Sequence, residues 1–342
     1  MALTRRGFLL GVSSTGLLAG CAATHSRSNG SGGALLFTTQ AKVRNARAIL
    51  VIMPETRQTK EVWTGLSDEL GKEYDLIALR GDPDQVTATI ARGIERYRPS
   101  GLVLMNNPTV AGYRRYQRQY PQLRFPPTVI VMSSFLEGRP VQLSAATGIS
   151  YEVPLITVVT NLRKLIATPI DRVGVIHRPG LRGFVHRQAT LAEREQTRVV
   201  AEEVSLVPNA SEIKHALRKL KQKCDVLWVL NDDRLLTPRL IADAWLPGLN
   251  EAPWVPSIVG AASLVSPERS FGTFAVLPDH TALGSQAATL MLDIADHEWE
   301  VSDSEQTQLP LSTTTTVDLP QVKERFQLRK DALSQVDRVL EK

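Results

Sequence analysis

The residues of this chain best suited to chemistry are polar and charged side chains that could bind a small charged molecule. A ligand with both a carboxylate and an amine would need a cation or backbone amides for the first and a carboxylate for the second. Thr109 offers a hydroxyl and an amide near the start of a predicted helix, and Arg57 or Arg178 can add positive charge. Asp232 or Asp279 can accept an ammonium group. For both arginines the alternative is a solvated position on the surface, which is the ordinary place for an arginine.

The alternation of apolar and amphipathic segments predicts two α/β lobes that position these residues. Short, uniformly apolar runs alternate with longer segments of helical periodicity, which is typical of buried parallel strands in βαβ units. The first series of predicted strands covers residues 48–53, 76–79, 102–105 and 129–132. The second series covers residues 172–176, 199–204, 226–230 and 254–258. A chain of 342 residues exceeds the usual size of a single core, which fits two lobes.

Ligands of open parallel sheets bind beyond the carboxyl ends of the strands, where loops and helix N-termini converge. The candidates at these positions in the first lobe are Glu55, Thr56, Arg57, Asn106, Asn107, Ser133 and Ser134. Those in the second lobe are Arg178, Asn231, Asp232 and Ser263. Tyr151 can form part of an aromatic wall. Asn231 and Asp232 can alternatively cap the segment that follows them, because Asn and Asp are favoured there.

The N-terminal segment has the features of an export signal. Arg5 and Arg6 precede an apolar run of 14 residues over 7–20, shorter than the roughly 20 needed to span a bilayer, so we expect its removal. Residues 18–21 (LAGC) resemble the bacterial lipoprotein box, and residues 4–9 (TRRGFL) resemble the twin-arginine export signal. The resemblance implies a diacylglyceryl group on Cys21. The alternative is an ordinary secretory signal in which Cys21 is incidental.

Two further expectations concern the anchored chain. The residue after Cys21 is Ala22, whereas lipoproteins of enteric bacteria that stay at the inner membrane have Asp there. This favours the outer membrane for a periplasm-facing protein. Residues 24–33 are rich in Ser, Gly and Asn, so residues 21–45 are predicted to form a flexible tether.

Composition argues against several classes of function. Without residues 1–20 the chain has 38 basic and 35 acidic residues, because 40 − 2 = 38, and no block of like charges indicates nucleic-acid binding. Cys224 has no partner if Cys21 is lipidated, and the histidines lack metal-ligand spacing, so no metal or cofactor is expected. No nucleophile elbow, phosphate-binding glycine loop or paired-carboxylate motif is present. We therefore expect no enzymatic activity.

Three local motifs, in order and spacing, extend the argument to a family. They are residues 147–150 (TGIS), residues 154–179 with their Pro-containing turn, and Asp279 followed by Leu283-Gly284 and Ala287-Ala288. They resemble segments of the substrate-binding lipoproteins of ABC transporters, in the branch related to tryptophan and tyrosine binders. The resemblance covers nearly the whole mature chain and adds Thr147 to the candidate ligand-binding residues.

The resemblance implies the type 1 periplasmic binding fold, with two doubly wound lobes that close on a small molecule. Residues 46–150 and 280–342 would form the N-terminal lobe and residues 151–279 the C-terminal lobe, with crossings near 133–150, 258–263 and 274–279. It implies a lipid-anchored extracytoplasmic protein that binds an amino-acid-like or aromatic molecule and works with an ABC permease.

The loops at the expected cleft depart from the family pattern. Residues 54–59 form a shorter loop that lacks the usual His-Pro, and Ser133-Ser134-Phe135-Leu136 stands where Asp-Pro is common. These departures leave a second hypothesis open. In it, an envelope lipoprotein uses the same fold to bind and regulate a partner protein such as a cell-wall synthase.

Overall fold

The computed structural model describes residues 33–136, 143–268, 270–301 and 307–341. The predicted signal, the predicted lipidation site Cys21 and the predicted tether up to residue 32 lie outside the described residues. Within the described ranges, no helix has both the length and the apolar character that a membrane span requires.

The first lobe is built on a six-stranded sheet with the order β1-β3-β2-β4-β5-β6. Its strands are β1 (Leu35–Thr39), β2 (Ala48–Met53), β3 (Asp75–Arg80), β4 (Gly101–Met105), β5 (Thr128–Ser133) and β6 (Ala146–Ser150). Its helices are α1 (Arg57–Leu70), α2 (Val86–Tyr97) and α3 (Asn107–Gln119). The sheet is parallel from β2 to β6, and its central strands are buried on both faces as their apolar sequences predict.

The prediction of a flexible tether is wrong for residues 35–39. This segment forms β1, which pairs antiparallel with β3 at the edge of the first sheet. Phe37 packs against the first lobe's core and stacks on Trp63 with 5.5 Å between ring centroids. The apolar character of Leu35, Leu36 and Phe37 decides the outcome, because these side chains gain more from packing than from solvent.

The second lobe is built on a seven-stranded sheet with the order β13-β12-β11-β10-β9-β7-β8. Its strands are β7 (Arg172–His177), β8 (Arg198–Glu203), β9 (Val226–Val229), β10 (Ser257–Val259), β11 (Phe274–Pro278), β12 (Thr313–Asp318) and β13 (Arg338–Leu340). The helices here are α4 (Leu155–Leu165), α5 (Arg182–Glu193), α6 (Ala210–Lys221), α7 (Pro238–Leu240), α8 (Leu246–Asn250) and α10 (Leu319–Arg325). Two apolar cores cover its two faces. The fold class, two α/β lobes with mostly parallel sheets, is confirmed.

The C-terminal tail divides between the lobes, which corrects its expected assignment to the first lobe. Helix α9 (His280–Asp296) packs against α1 on the first lobe. The remainder returns to the second lobe, where β12 pairs antiparallel with β11 and β13 pairs with β12. Val317 is fully buried in the second lobe's core, so burial of this strand determines where the tail ends.

The chain passes between the lobes three times, although not at all the expected positions. It crosses at residues 151–154 between β6 and α4, at Asp279 between β11 and α9, and again between α9 and β12. Gln308 forms an isolated bridge with Ile149 at the third passage. The crossing expected near 258–263 is wrong, because this segment joins β10 to a 3₁₀ turn (Ala262–Leu264) inside the second lobe.

Helices α1 and α9 approach so closely that only glycine fits at their contact. A methyl group at Gly65 would overlap the carbonyl oxygen of Thr281, and one at Gly284 would overlap that of Val62. The obstacles are backbone atoms, which cannot rotate away as a side chain can. The two glycines therefore set the distance between the helices.

We expect Gly284→Ala to lower the free energy of unfolding by about 2 kcal/mol or more, because the added methyl must separate two packed helices. Urea denaturation of the two proteins measures the difference. Gly183→Ala is the matched control, since Gly183 is exposed on α5 and a methyl there meets no backbone atom. Equal stabilities of Gly284→Ala and the wild type would contradict this account of the helix contact.

Candidate functional site

Two cavities lie where the lobes meet, one of about 450 Å³ and one of about 30 Å³. The larger is bounded by α1 and α9 of the first lobe and by β12, β13 and the 3₁₀ turn of the second. The smaller lies beside the first crossing, against the carboxyl ends of β9, β10 and β11. Both occupy the edge where parallel sheets place their ligands.

The larger cavity brings together three residues that the sequence nominates, namely Arg57, Ser263 and Asp279. The Arg57 side chain is exposed, and its Nε donates to Glu61 Oε1 at 2.9 Å. Asp279 caps α9, where its Oδ1 accepts from the amide of Ala282 at 3.0 Å. Ser263 is exposed on the 3₁₀ turn. Their role in binding a ligand stays a prediction.

The smaller cavity includes two further nominated residues, Tyr151 and Asn231. Asn231 Nδ2 donates to Ser134 Oγ at 3.2 Å, which joins the second lobe to the loop after β5 of the first. The next residue, Phe135, packs edge-on against Phe184 in the second lobe's core, with 5.2 Å between ring centroids. The loop that departs from the family pattern thus holds the two lobes together.

A chain of hydrogen bonds links the first crossing to α9 and α1. The Tyr151 hydroxyl lies 3.0 Å from His280 Nε2, and the two rings stack with 6.0 Å between centroids. His280 Nδ1 lies 3.1 Å from Glu61 Oε2. Burial, followed by the nearby charge of Glu152, raises the pKa of the Tyr151 phenol, which therefore stays protonated. Sequence reasoning missed His280 and Glu61, since neither has a recognisable partner in sequence.

Glu152 is the other group that sequence reasoning missed. Its Oε2 accepts from the amide of Phe135 at 2.8 Å and from Ser150 Oγ at 3.3 Å. Its Oε1 is buried and has no hydrogen-bond partner among the residues that the structure describes. Burial raises the pKa of Glu152 to about 7, although these hydrogen bonds partly oppose the shift. A signal was available, because an acidic residue two positions after a buried strand has to be accommodated at a crossing.

Arg178 and Asp232 bind each other, which corrects the expectation that they offer free charges to a ligand. Arg178 Nε and Nη2 donate to the two carboxylate oxygens of Asp232, each at 2.8 Å. The side chains are 11% and 1% exposed. A buried charge needs a partner of opposite charge. At this edge of the sheet, Arg178 and Asp232 neutralise each other. Asp232 also accepts from the amide of Arg234, as the capping interpretation predicts.

The remaining nominated residues serve local structure. Thr109 is fully buried, and its amide and hydroxyl both donate to Asn106 at the start of α3, so the expectation that they face a ligand is wrong. Ser133 donates to Asn107 Oδ1. Thr147 lies within β6, where its hydroxyl is buried and has no hydrogen-bond partner among the described residues. Helix capping and strand burial explain these positions.

Arg178→Ala should cost about 3 kcal/mol of unfolding free energy, because it leaves the Asp232 carboxylate buried without its partner. Arg182→Ala is the matched control. Its ion pair with Glu203 is exposed at 70% and 33%, so solvent screens the pair and its loss should cost much less stability than the loss of Arg178. Denaturant titration of both variants measures the difference. If the two variants lose equal stability, the Arg178–Asp232 pair is not the buried ion pair described.

Glu152→Gln should change how stability depends on pH. The pKa of Glu152 is about 7 in the folded chain against an ordinary value of 4.5, so the folded state holds the proton more tightly. Stability is therefore lost as pH rises from about 4.5 to above 7, by about 3 kcal/mol in total. Gln stays neutral and shows no such loss. Denaturation at pH 4.5 and pH 8 tests this, and parallel pH profiles for the two proteins would contradict it.

No protein-family model matches this sequence, and comparison with curated proteins gives no significant match. Solved structures do match. A substrate-binding protein with adhesive properties from Clostridium difficile, in a ligand-free, open structure, gives a TM-score of 0.62 at 13% identity. An ABC domain in complex with L-Trp from Streptococcus pneumonia gives 0.59 at 15%. Both comparisons cover 87% of this chain and 100% of the other.

A transcription regulator from Lactococcus lactis also matches, with a TM-score of 0.50 at 16% identity over 79% of this chain and 97% of the other. At sequence identities this low, the structural similarity establishes a common fold and nothing more specific. Since a regulator and a substrate-binding protein share that fold, it does not by itself specify a function.

Proposed function

We propose that this chain is the extracytoplasmic solute-binding component of an ABC transporter, because it has the type 1 periplasmic binding fold. Its ligand is a small organic molecule, amino-acid-like or aromatic, held between the two lobes without chemical change. The observation that carries the proposal is the cavity of about 450 Å³ walled by both lobes. Its volume lies within the range of small-molecule sites, about 300 to 1,000 Å³.

The charges around this cavity support a zwitterionic ligand. Arg338 is exposed at the cavity and forms no ion pair within the described ranges, so its guanidinium is available to a carboxylate. Asp279 caps α9 through Oδ1, and its other carboxylate oxygen adds a negatively charged acceptor to the cavity wall. The hydroxyls of Thr314, Thr316 and Ser263 add uncharged donors and acceptors.

Capture of the ligand would use the three passages between the lobes as hinges. Hinge closure moves two preformed lobes as rigid bodies, and ligand contacts to both sides stabilise the closed form. The hydrogen bond between Asn231 and Ser134 is one such contact that the chain makes for itself. A ligand bound between α1 and β12 would add contacts of the same kind.

The same proposal places the protein at the membrane surface, facing the periplasm. The resemblance of residues 18–21 to the lipoprotein box supports a lipid anchor on Cys21, and residues 4–9 support twin-arginine export of a folded chain. Ala22 favours the outer membrane over the inner. Delivery of the solute to an ABC permease completes the proposed role.

A thermal-shift screen of the whole mature chain tests solute binding. The panel comprises amino acids, aromatic acids, small peptides, sugars and nucleosides. We expect one chemical class to give saturable shifts, since a ligand at 100 times its dissociation constant stabilises the fold by about 2.7 kcal/mol. Ser263→Trp, which fills the larger cavity, should abolish the shift. Ser211→Trp, on the exposed face of α6, should leave it unchanged.

An envelope lipoprotein that regulates a partner protein, such as a cell-wall synthase, is the second candidate function. The contacts of Arg178, Asp232 and Thr109 favour it. These side chains bind other groups of the chain itself, so they are not available to a small ligand. Pull-down from intact envelopes separates the two functions. A permease complex supports solute transport, whereas capture of a cell-wall enzyme with no shift in the ligand screen supports the alternative.

A further inference from the structure

The smaller cavity combines aromatic walls with a single carboxyl group. Phe135, Tyr151 and Trp228 line it, together with aliphatic side chains from α4 and the second sheet. Its volume of about 30 Å³ suits one group the size of a water molecule. An ammonium group has that size, and aromatic faces attract cations.

Glu152 contributes that carboxyl group, and it has an unmet need for a hydrogen-bond partner. Oε2 accepts from Phe135 and Ser150, whereas the buried Oε1 has no partner in the described part of the chain. An ionised Oε1 lacks a donor, and a protonated Oε1 lacks an acceptor. Buried polar atoms are paired in the great majority of cases, so this atom calls for an explanation.

The charged groups near Glu152 leave this need unmet. Among the residues that line the cavity, Tyr151 is the other titratable group, and its hydroxyl is bonded to His280. Beyond it lies Glu61, a second carboxylate. Within the described residues of the loop after β5, of the ends of β9, β10 and β11, and of α4, no titratable side chain lines the cavity. No ion pair within the described ranges joins Glu152 to a cation.

We propose that Glu152 is the subsite for a primary ammonium group of the solute, carried on an apolar or aromatic stem. The inference rests on the proposed function and specifies its ligand class. The neutral carboxyl group releases its proton to solvent as the ammonium group arrives. The carboxylate that remains carries one negative charge, which the one positive charge of the ammonium group neutralises. Leu277 lines both cavities, which are therefore adjacent, and in this proposal the stem extends from Glu152 towards the larger one.

Binding of an amine is therefore coupled to release of a proton. Below pH 7 the proton competes with the ligand, because the pKa of Glu152 is about 7 in the empty protein. Affinity for an amine should rise about tenfold per pH unit below that value and level off above it. The rise between pH 5 and pH 8 amounts to about a hundredfold.

Titration calorimetry on the whole mature chain tests the inference with matched probes. 2-Phenylethylamine and tryptamine are compared with the neutral 2-phenylethanol and tryptophol at pH 5 to 8, in buffers of different ionisation enthalpy. We expect the amines to bind more tightly than the alcohols, with about one proton released per amine bound at pH 5.5. Glu152→Gln should remove the pH dependence and weaken amine binding at pH 8 at least tenfold, while the alcohols bind as before.

Glu203→Gln is the control, since Glu203 ends β8, is ion-paired with Arg182 and lies outside both cavities. It should behave as the wild type. Amine affinity that is flat with pH, or unchanged in Glu152→Gln, overturns the inference. If the amines do not bind but another class in the ligand screen does, the inference fails and solute binding stands. If no class binds, both fail.

Discussion

The contact between α1 and α9 is the constraint on which the interlobe site depends. Gly65 and Gly284 let two helix backbones touch, and this contact places the start of α9 beside the middle of α1. His280 then lies within hydrogen-bond distance of Glu61 on one side and Tyr151 on the other. Because α9 begins directly after the second crossing, the same contact also positions Asp279 at the wall of the larger cavity.

Burial then decides which polar groups are available to a ligand. Arg178 and Asp232 lie at the carboxyl edge of the second sheet, but both are nearly inaccessible to solvent and satisfy each other. Arg57 and Arg338 lie at the rim, where water can solvate them until a ligand arrives. Glu152 differs from both groups, since it is buried and forms no ion pair with any described residue. Its carboxyl is therefore the one whose charge a ligand could change.

The residues at the crossings serve both the fold and the proposed binding. Phe135 reaches from the first lobe into the second lobe's core, and the amide of the same residue donates to Glu152. Movement of one lobe against the other must therefore alter the surroundings of this carboxyl group. A hinge whose polar contacts lie inside the candidate site couples closure to occupancy by direct contact.

The local sequence pattern determined much of the architecture. Apolar runs and amphipathic segments indicated two parallel α/β lobes, because strand burial and helix periodicity depend on residues that are close in sequence. Only the tertiary structure decided that residues 313–340 join the second sheet and that residues 35–39 join the first. The same distinction holds for the candidate site. The sequence predicted polar residues at the strand ends. The pairing of Arg178 with Asp232, 54 residues apart, depends on distances that no local pattern encodes, and so does the unpaired oxygen of Glu152.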